Sequence, residues 1–155
     1  MIDYWIEKSR CPITLVLTDG RAMTGDIFLN PLSRFRVAPQ QASEFLNQPE
    51  PFFVLAPTYD ERILVAKASV AIVEAPLPSS DDEDHLDSAR VGIGIEVELT
   101  GGITAAGWIF YKPSEGKRRV QDYLNDLTDQ FISLFDSEKT TLVNRHAVAH
   151  VRETH

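Results

Sequence analysis

Cys11 is the only cysteine among 155 residues. No disulfide can therefore staple the chain internally, and a reducing, cytoplasmic setting is expected. Long apolar runs are also missing, since nothing approaches the ~20 residues that a membrane-spanning helix needs. Met1 to Arg10 carries Asp3 and Glu7 among its apolar residues, which does not read as a secretory leader. Basic charge is scarce: 15 Lys and Arg stand against 23 Asp and Glu, for a formal net charge of -8. That excludes a strongly basic nucleic-acid binder. Chemical motifs are scarce as well. There is no Gly-x-Ser-x-Gly, no glycine-rich phosphate loop, and no companion pattern around Cys11, so no nucleophile and base can be assembled from the residues. The chain reads as non-enzymatic and without a cofactor. Its composition, 43% hydrophobic and 25% charged, is nevertheless rich enough in apolar residues to bury a core.

What the sequence does have is a repeat. Leu17-Thr18-Asp19-Gly20 recurs as Leu99-Thr100-Gly101-Gly102, and the neighbourhood follows at the same offset. Ile13, Gly25, Ile27, Phe28 and Pro31 match Ile95, Gly107, Ile109, Phe110 and Pro113. After extra residues in the first copy around Pro39 to Ser43, the match resumes. Leu46, Asn47, Phe53, Leu64, Val65, Val70 and Val73 match Leu124, Asn125, Phe131, Leu142, Val143, Val148 and Val151, with Lys67 and Arg145 as a close substitution. The shared residues are mostly apolar, glycine and proline, which set folds rather than chemistry. Between the copies, residues 76–90 are proline, serine and acid with almost nothing to bury, the composition of a solvated linker. They hold five acids and one arginine, half of the net charge of -8, so each copy is close to neutral. The expected organisation is a first repeat over 1–75, a linker over 76–90 and a second repeat over 91–155.

Within each copy the apolar period is mostly two. Ile93, Ile95, Val97 and Leu99 alternate with Gly94, Glu96 and Glu98, as in a strand with one buried face. Asp19-Gly20 and Gly101-Gly102 fall where a tight hairpin needs residues that tolerate positive φ. Gly25 and Gly107 sit inside the following strand and predict a bend or bulge there. The stretches ending in Phe45-Leu46-Asn47 and Tyr123-Leu124-Asn125 predict short helical turns starting near Ser43 and Asp122, with asparagine at a left-handed exit. Short strands follow over 52–56, 63–66 and 70–73, and over 130–134, 141–144 and 148–151. Five short, bent strands per copy suit a small barrel better than a flat sheet with long raw edges.

Ile13-Thr14-Leu15-Val16-Leu17-Thr18-Asp19-Gly20-Arg21, followed by Gly25-Asp26-Ile27, resembles the first signature of the Sm-like small β-barrels. Leu142-Val143-Asn144-Arg145-His146-Ala147-Val148-Ala149-His150-Val151 resembles the second, and Ile63 to Val73 does so more weakly. The resemblance implies a mainly β chain of two tandem five-stranded Sm-like or SH3-like barrels, each with an inserted helical turn. It also implies a leading helix, for which Ile2, Trp5 and Ile6 share one side. Members that bind RNA carry an Asp and Asn loop and an Arg-Gly or Lys-Gly pair; here the loop is replaced, and Lys67-Ala68 and Arg145-His146 lack the glycine.

Lys112, Lys117, Arg118 and Arg119 form the one basic cluster, with Tyr111 and Tyr123 nearby, and Arg34 and Arg36 occupy the corresponding loop of the first copy. Such loops can bind phosphate or single-stranded RNA by charge and stacking. The plainer reading is a solvated loop whose arginine caps a helix or meets Asp122. Trp5 and Trp108 read as core or interface residues. Asp26 stands where the second copy has Trp108, so an outward Trp108 would make one copy sticky and not the other. His146 and His150 are spaced for zinc only on a helix, and their stretch alternates like a strand. A cyclic-dinucleotide site of the PilZ kind would need Arg-x-x-x-Arg and Asp-x-Ser-x-x-Gly, and neither is present. The leading expectation is a cytoplasmic assembly or adaptor module that binds protein or copies of itself, with RNA binding through Arg36 and Arg119 as the alternative.

Overall fold

The computed structural model describes residues 8–33, 38–78, 90–113 and 119–154. The chain is mainly β. The first half runs β1 (Ser9–Leu17), β2 (Ala22–Leu29), α1 (Ala42–Leu46), β3 (Phe52–Leu55), β4 (Ile63–Ala66) and β5 (Val70–Pro76). The second runs β6 (Val91–Leu99), β7 (Thr104–Tyr111), α2 (Val120–Asp126), β8 (Phe131–Phe135), β9 (Lys139–Asn144) and β10 (Val148–Thr154). A three-residue 3-10 turn, Lys67–Ser69 or Arg145–Ala147, precedes the last strand of each half.

The expected hairpin glycines serve as predicted. Gly20 turns β1 into β2 at φ 92°, and Gly101 and Gly102 turn β6 into β7 at 83° and 79°, a region that L side chains avoid. Gly25 has a different task. A Cβ there would lie 2.7 Å from the Ala56 carbonyl oxygen, so its bare backbone is what lets the end of β3 approach β2. At that point Asp26 and Ala56 exchange two backbone hydrogen bonds of 2.9 Å. The second half repeats the device where Trp108 of β7 pairs with Phe135 of β8 beside Gly107.

All pairings among the described residues are antiparallel. Eight strands run in the order β10-β6-β7-β8-β9-β5-β1-β2, β3 and β4 form a separate pair, and the Asp26–Ala56 bridge links the two sets. Ten strands thus follow one path whose ends are β10 and β4. The order within the first half, β5-β1-β2-β3-β4, is matched by β10-β6-β7-β8-β9 in the second. Registers match as well: Leu17 opposes Val70 and Val16 opposes Ile72 across a bulge, as Leu99 opposes Val148 and Glu98 opposes His150 across another.

No pairing among the described residues closes either half into a barrel. The 3-10 turn after β4 carries the chain across to β1 instead of back along β4, so β5 keeps its other edge open and joins β9. The core accordingly forms two connected clusters. One gathers Ile13, Leu15, Ile27, Leu46, Leu55 and Val73, and takes in Phe131 and Leu142 from the second half. The other gathers Ile95, Leu99, Ile109, Leu134 and Val143, and takes in Ala71 and Ile72 from the first.

Three local expectations are corrected. Both helices begin earlier than predicted, at Ala42 and Val120, because Gln41 and Arg119 are the N-caps, whose backbone N–H groups donate to Glu44 and Asp122 at N3, half of a capping box. Asn47 ends α1 at φ -92°, not in the left-handed region, and α2 runs past Asn125 to Asp126. Ser9 and Arg10 belong to β1, while the rest of the expected leading helix, residues 1–7, and most of the expected linker, 79–89, lie outside the described residues.

Candidate functional site

The junction between the halves shows what this sheet uses to hold two units together. Ile72, Val73 and Glu74 of β5 oppose Val143, Leu142 and Thr141 of β9. Phe131 and Leu142, on the face of β8 and β9 turned towards the first half, are 1% and 0% exposed. Burying two such side chains contributes on the order of 4 kcal/mol. Around them sit polar ties to backbone. The Asn47 amide nitrogen donates to the Phe131 carbonyl at 3.2 Å and its oxygen accepts from the Phe131 N–H at 2.8 Å. Asn144, 1% exposed, donates to the Val70 and Lys67 carbonyls at 2.8 and 3.3 Å and accepts from the His146 N–H. At the rim the Lys139 ammonium meets the Glu74 carboxylate, which raises the pKa of Lys139.

Lys67 and Arg145, matched to one another between the two copies, are anchors of the fold. Lys67 is 2% exposed and its Nζ donates to the Gln48 carbonyl at 2.6 Å. Arg145 donates to the Leu127 carbonyl at 2.9 Å. Each thus puts a cation on a carbonyl just beyond a helix, where the dipole favours it. Burial pushes the Lys67 pKa down, partly opposed by Glu50.

The two end strands contrast with the junction. On β3 and β4, Phe52 and Leu64 are 57% and 72% exposed, and next to them Arg10 and Arg62 lie over the Phe28 ring at 5.0 and 4.9 Å. β10 turns Ala149, His150, Arg152 and Glu153 to solvent. His150 Nε2 lies against the Glu98 carboxylate, and Arg152 is 4.0 Å from Glu96.

Of the residues expected to carry binding, Arg34, Arg36, Lys117 and Arg118 lie outside the described residues. Lys112 is exposed just beyond β7. Arg119 caps α2, and its Nε lies 3.3 Å from Asp122, as in the plainer reading. Trp108 is 45% exposed, whereas Asp26 at the corresponding site pairs with Arg10 at 3.0 Å. Tyr111 and Tyr123 stack on one another at 5.1 Å. Cys11 is half-buried in β1, and burial, then Asp26, pushes its thiol pKa up.

Sequence reasoning missed Asn47, Asn144, Phe52 and Leu64. Aligning Phe53 with Phe131 is one residue out. Phe52 opposes Ala66 as Phe131 opposes Asn144, so Phe52 is the true counterpart, and on a strand a shift of one exchanges the faces. Leu64 keeps its match with Leu142, but that one is exposed where the other is buried is visible only in the fold. Comparison with protein-family models, with curated proteins and with solved structures gives no match for this chain.

Proposed function

We propose that this chain is a non-enzymatic assembly or adaptor module, a duplicated pair of Sm-like or SH3-like units that binds protein through its open strand edges. The observation that carries the reading is the repetition of strand order and pairing register in the two halves, joined edge to edge by β5 and β9. Among the described residues a sheet built by adding edges has two edges left, and strand addition is a recurring way to bind a partner. The residues that repeat are fold-setting ones, and the repeated cations, Lys67 and Arg145, are committed to carbonyls. The proposal places the protein in a cytoplasmic setting, on the strength of its lone cysteine.

The test is size exclusion with light scattering, with and without a mixed RNA pool, read at two wavelengths, followed by pull-down from a lysate. An RNA-free protein that assembles or retains a protein partner fits the module. RNA that co-elutes, is released by salt and is lost in the Arg36→Ala, Arg119→Ala variant would overturn it.

A further inference from the structure

We propose that the seam between the two halves holds a binding site for a small uncharged ring compound with one hydrogen-bond-accepting oxygen, of the size of benzamide. The site lies inside the joint and is independent of what the strand edges bind.

Beside the junction the two halves leave a cavity of about 180 Å³ between them. The first half lines it with Cys11 near the start of β1, Leu29 at the end of β2, Gln40 and Ala42 around the start of α1, and residues 76–78 at the end of β5. The second half supplies Phe135 of β8 and Thr140 of β9. Thr140 lies opposite Phe135 on one side and Ala75 on the other. Directly opposed residues share a face of the sheet, so the Phe135 ring and the Thr140 hydroxyl are presented to the same space.

Thr140 is 5% exposed, and its Oγ1 is buried without a hydrogen-bond partner among the described residues. Leaving a buried hydroxyl unsatisfied costs stability, and native chains keep few such groups. A ligand that fills the cavity can supply the partner that the fold does not. Gln40, also 5% exposed, spends its side-chain oxygen on the Asn30 N–H at 3.0 Å, so what it has to offer is the amide N–H2 donor. A hydroxyl and an N–H2 group together call for an acceptor, the oxygen of a carbonyl or an alcohol.

The rest of the lining sets charge and size. None of the described residues around the cavity carries a charged side chain, and burial, then Asp26, pushes the Cys11 thiol pKa up and keeps it protonated. A charged ligand would be buried there without a counter-ion, which is unfavourable. An apolar cavity of about 150 Å³ takes up benzene, so the slightly larger space here suits one ring with one polar substituent. A buried water needs about three polar partners, and this wall is mostly leucine, alanine, proline and phenylalanine. The Cys11 sulfur and the Phe135 ring add polarizable surface on which an aromatic ring packs well.

Benzamide is the probe. Added to the full chain in the millimolar range, it should shift the backbone amide resonances of Ala42, Phe135 and Thr140 saturably, raise the melting temperature by mass action, and slow alkylation of Cys11 by N-ethylmaleimide. Thr140→Val keeps the volume and removes the hydroxyl. It should weaken benzamide binding about tenfold, as expected for one hydrogen bond, while the free variant melts no lower than the wild type. Ala42→Leu fills the space and should abolish binding with an unchanged circular dichroism spectrum. Benzoate, of the same shape but charged, should bind at least about tenfold more weakly than benzamide. A wild type whose resonances show no saturable shift overturns the proposal. So do shifts confined to residues away from the seam, a Thr140→Val variant that binds as tightly as the wild type, or benzoate that binds as tightly as benzamide.

Discussion

Asn47→Ala tests the junction at its most specific point. The side chain gives and takes one hydrogen bond each with the backbone of Phe131, at 3.2 and 2.8 Å. Both bonds are part-buried, so their loss costs more than two exposed bonds and less than two groups stranded in a dry core. About 2 kcal/mol is expected. For a chain of this size that corresponds to about 4–8 °C in the melting temperature. Helix capping does not confuse the result, because Asn47 sits at φ -92°, where alanine is at ease. The assay is urea and thermal unfolding followed by circular dichroism at low concentration, with Asn125→Ala as control. Asn125 is exposed, so its substitution should change stability by less than about 0.5 kcal/mol. A loss below about 0.5 kcal/mol for Asn47→Ala, or equal losses for the two, would refute the view that this amide ties the halves together.

Other substitutions bear on the same frame. Leu142→Ala removes a 0% exposed side chain packed in the first half's cluster and should cost about 2–5 kcal/mol in urea unfolding, while Leu64→Ala, at 72% exposure, should cost under about 0.5 kcal/mol in the single chain. Gly25→Ala drives a methyl to within 2.7 Å of the Ala56 carbonyl oxygen and 2.9 Å of its carbon; since both atoms are backbone, denaturation should show a loss of at least about 1–3 kcal/mol. Lys67 gives a pH signature. Its pKa is lowered in the fold by burial, so between that value and the ordinary lysine value the unfolded chain binds more protons, and stability rises with pH. Lys67→Met should remove this alkaline rise in unfolding titrations. The comparison is made against the wild type because Tyr111 and Tyr123, whose pKa values burial raises, lower stability in the more alkaline range in both proteins.

The alternation of Ile13 and Leu15, or of Ile95, Val97 and Leu99, was legible because one face of each strand meets the core. The turn glycines were legible because their φ admits little else. Asn47 was not: after a helix, asparagine reads as a left-handed exit, and only the fold reveals a strand within its reach. The slip at Phe52 and Phe53 has a similar cause. Two adjacent phenylalanines satisfy a pattern of one apolar face in either register, and what distinguishes them is the presence of a neighbouring half on one side. Whether β5 turns back on β4 or goes on to β9 is likewise a choice between partners that look alike in local sequence. Arg119 was legible as a cap only because Asp122 follows it at the right spacing.

The path of the chain through the sheet has a consequence for kinetics. Hairpins such as β1 with β2 and β6 with β7 close over a few residues, but the junction brings together Asn144 and Val70, 74 residues apart, and Asn47 and Phe131, 84 apart. Closing long loops is entropically slow and is rewarded only after both partners exist. The junction is thus expected to consolidate after the rate-limiting step of folding. Damage to it should then appear in stopped-flow measurements as faster unfolding with little change in refolding, so the lifetime of the native state is set at the seam while the speed of reaching it is set within the halves.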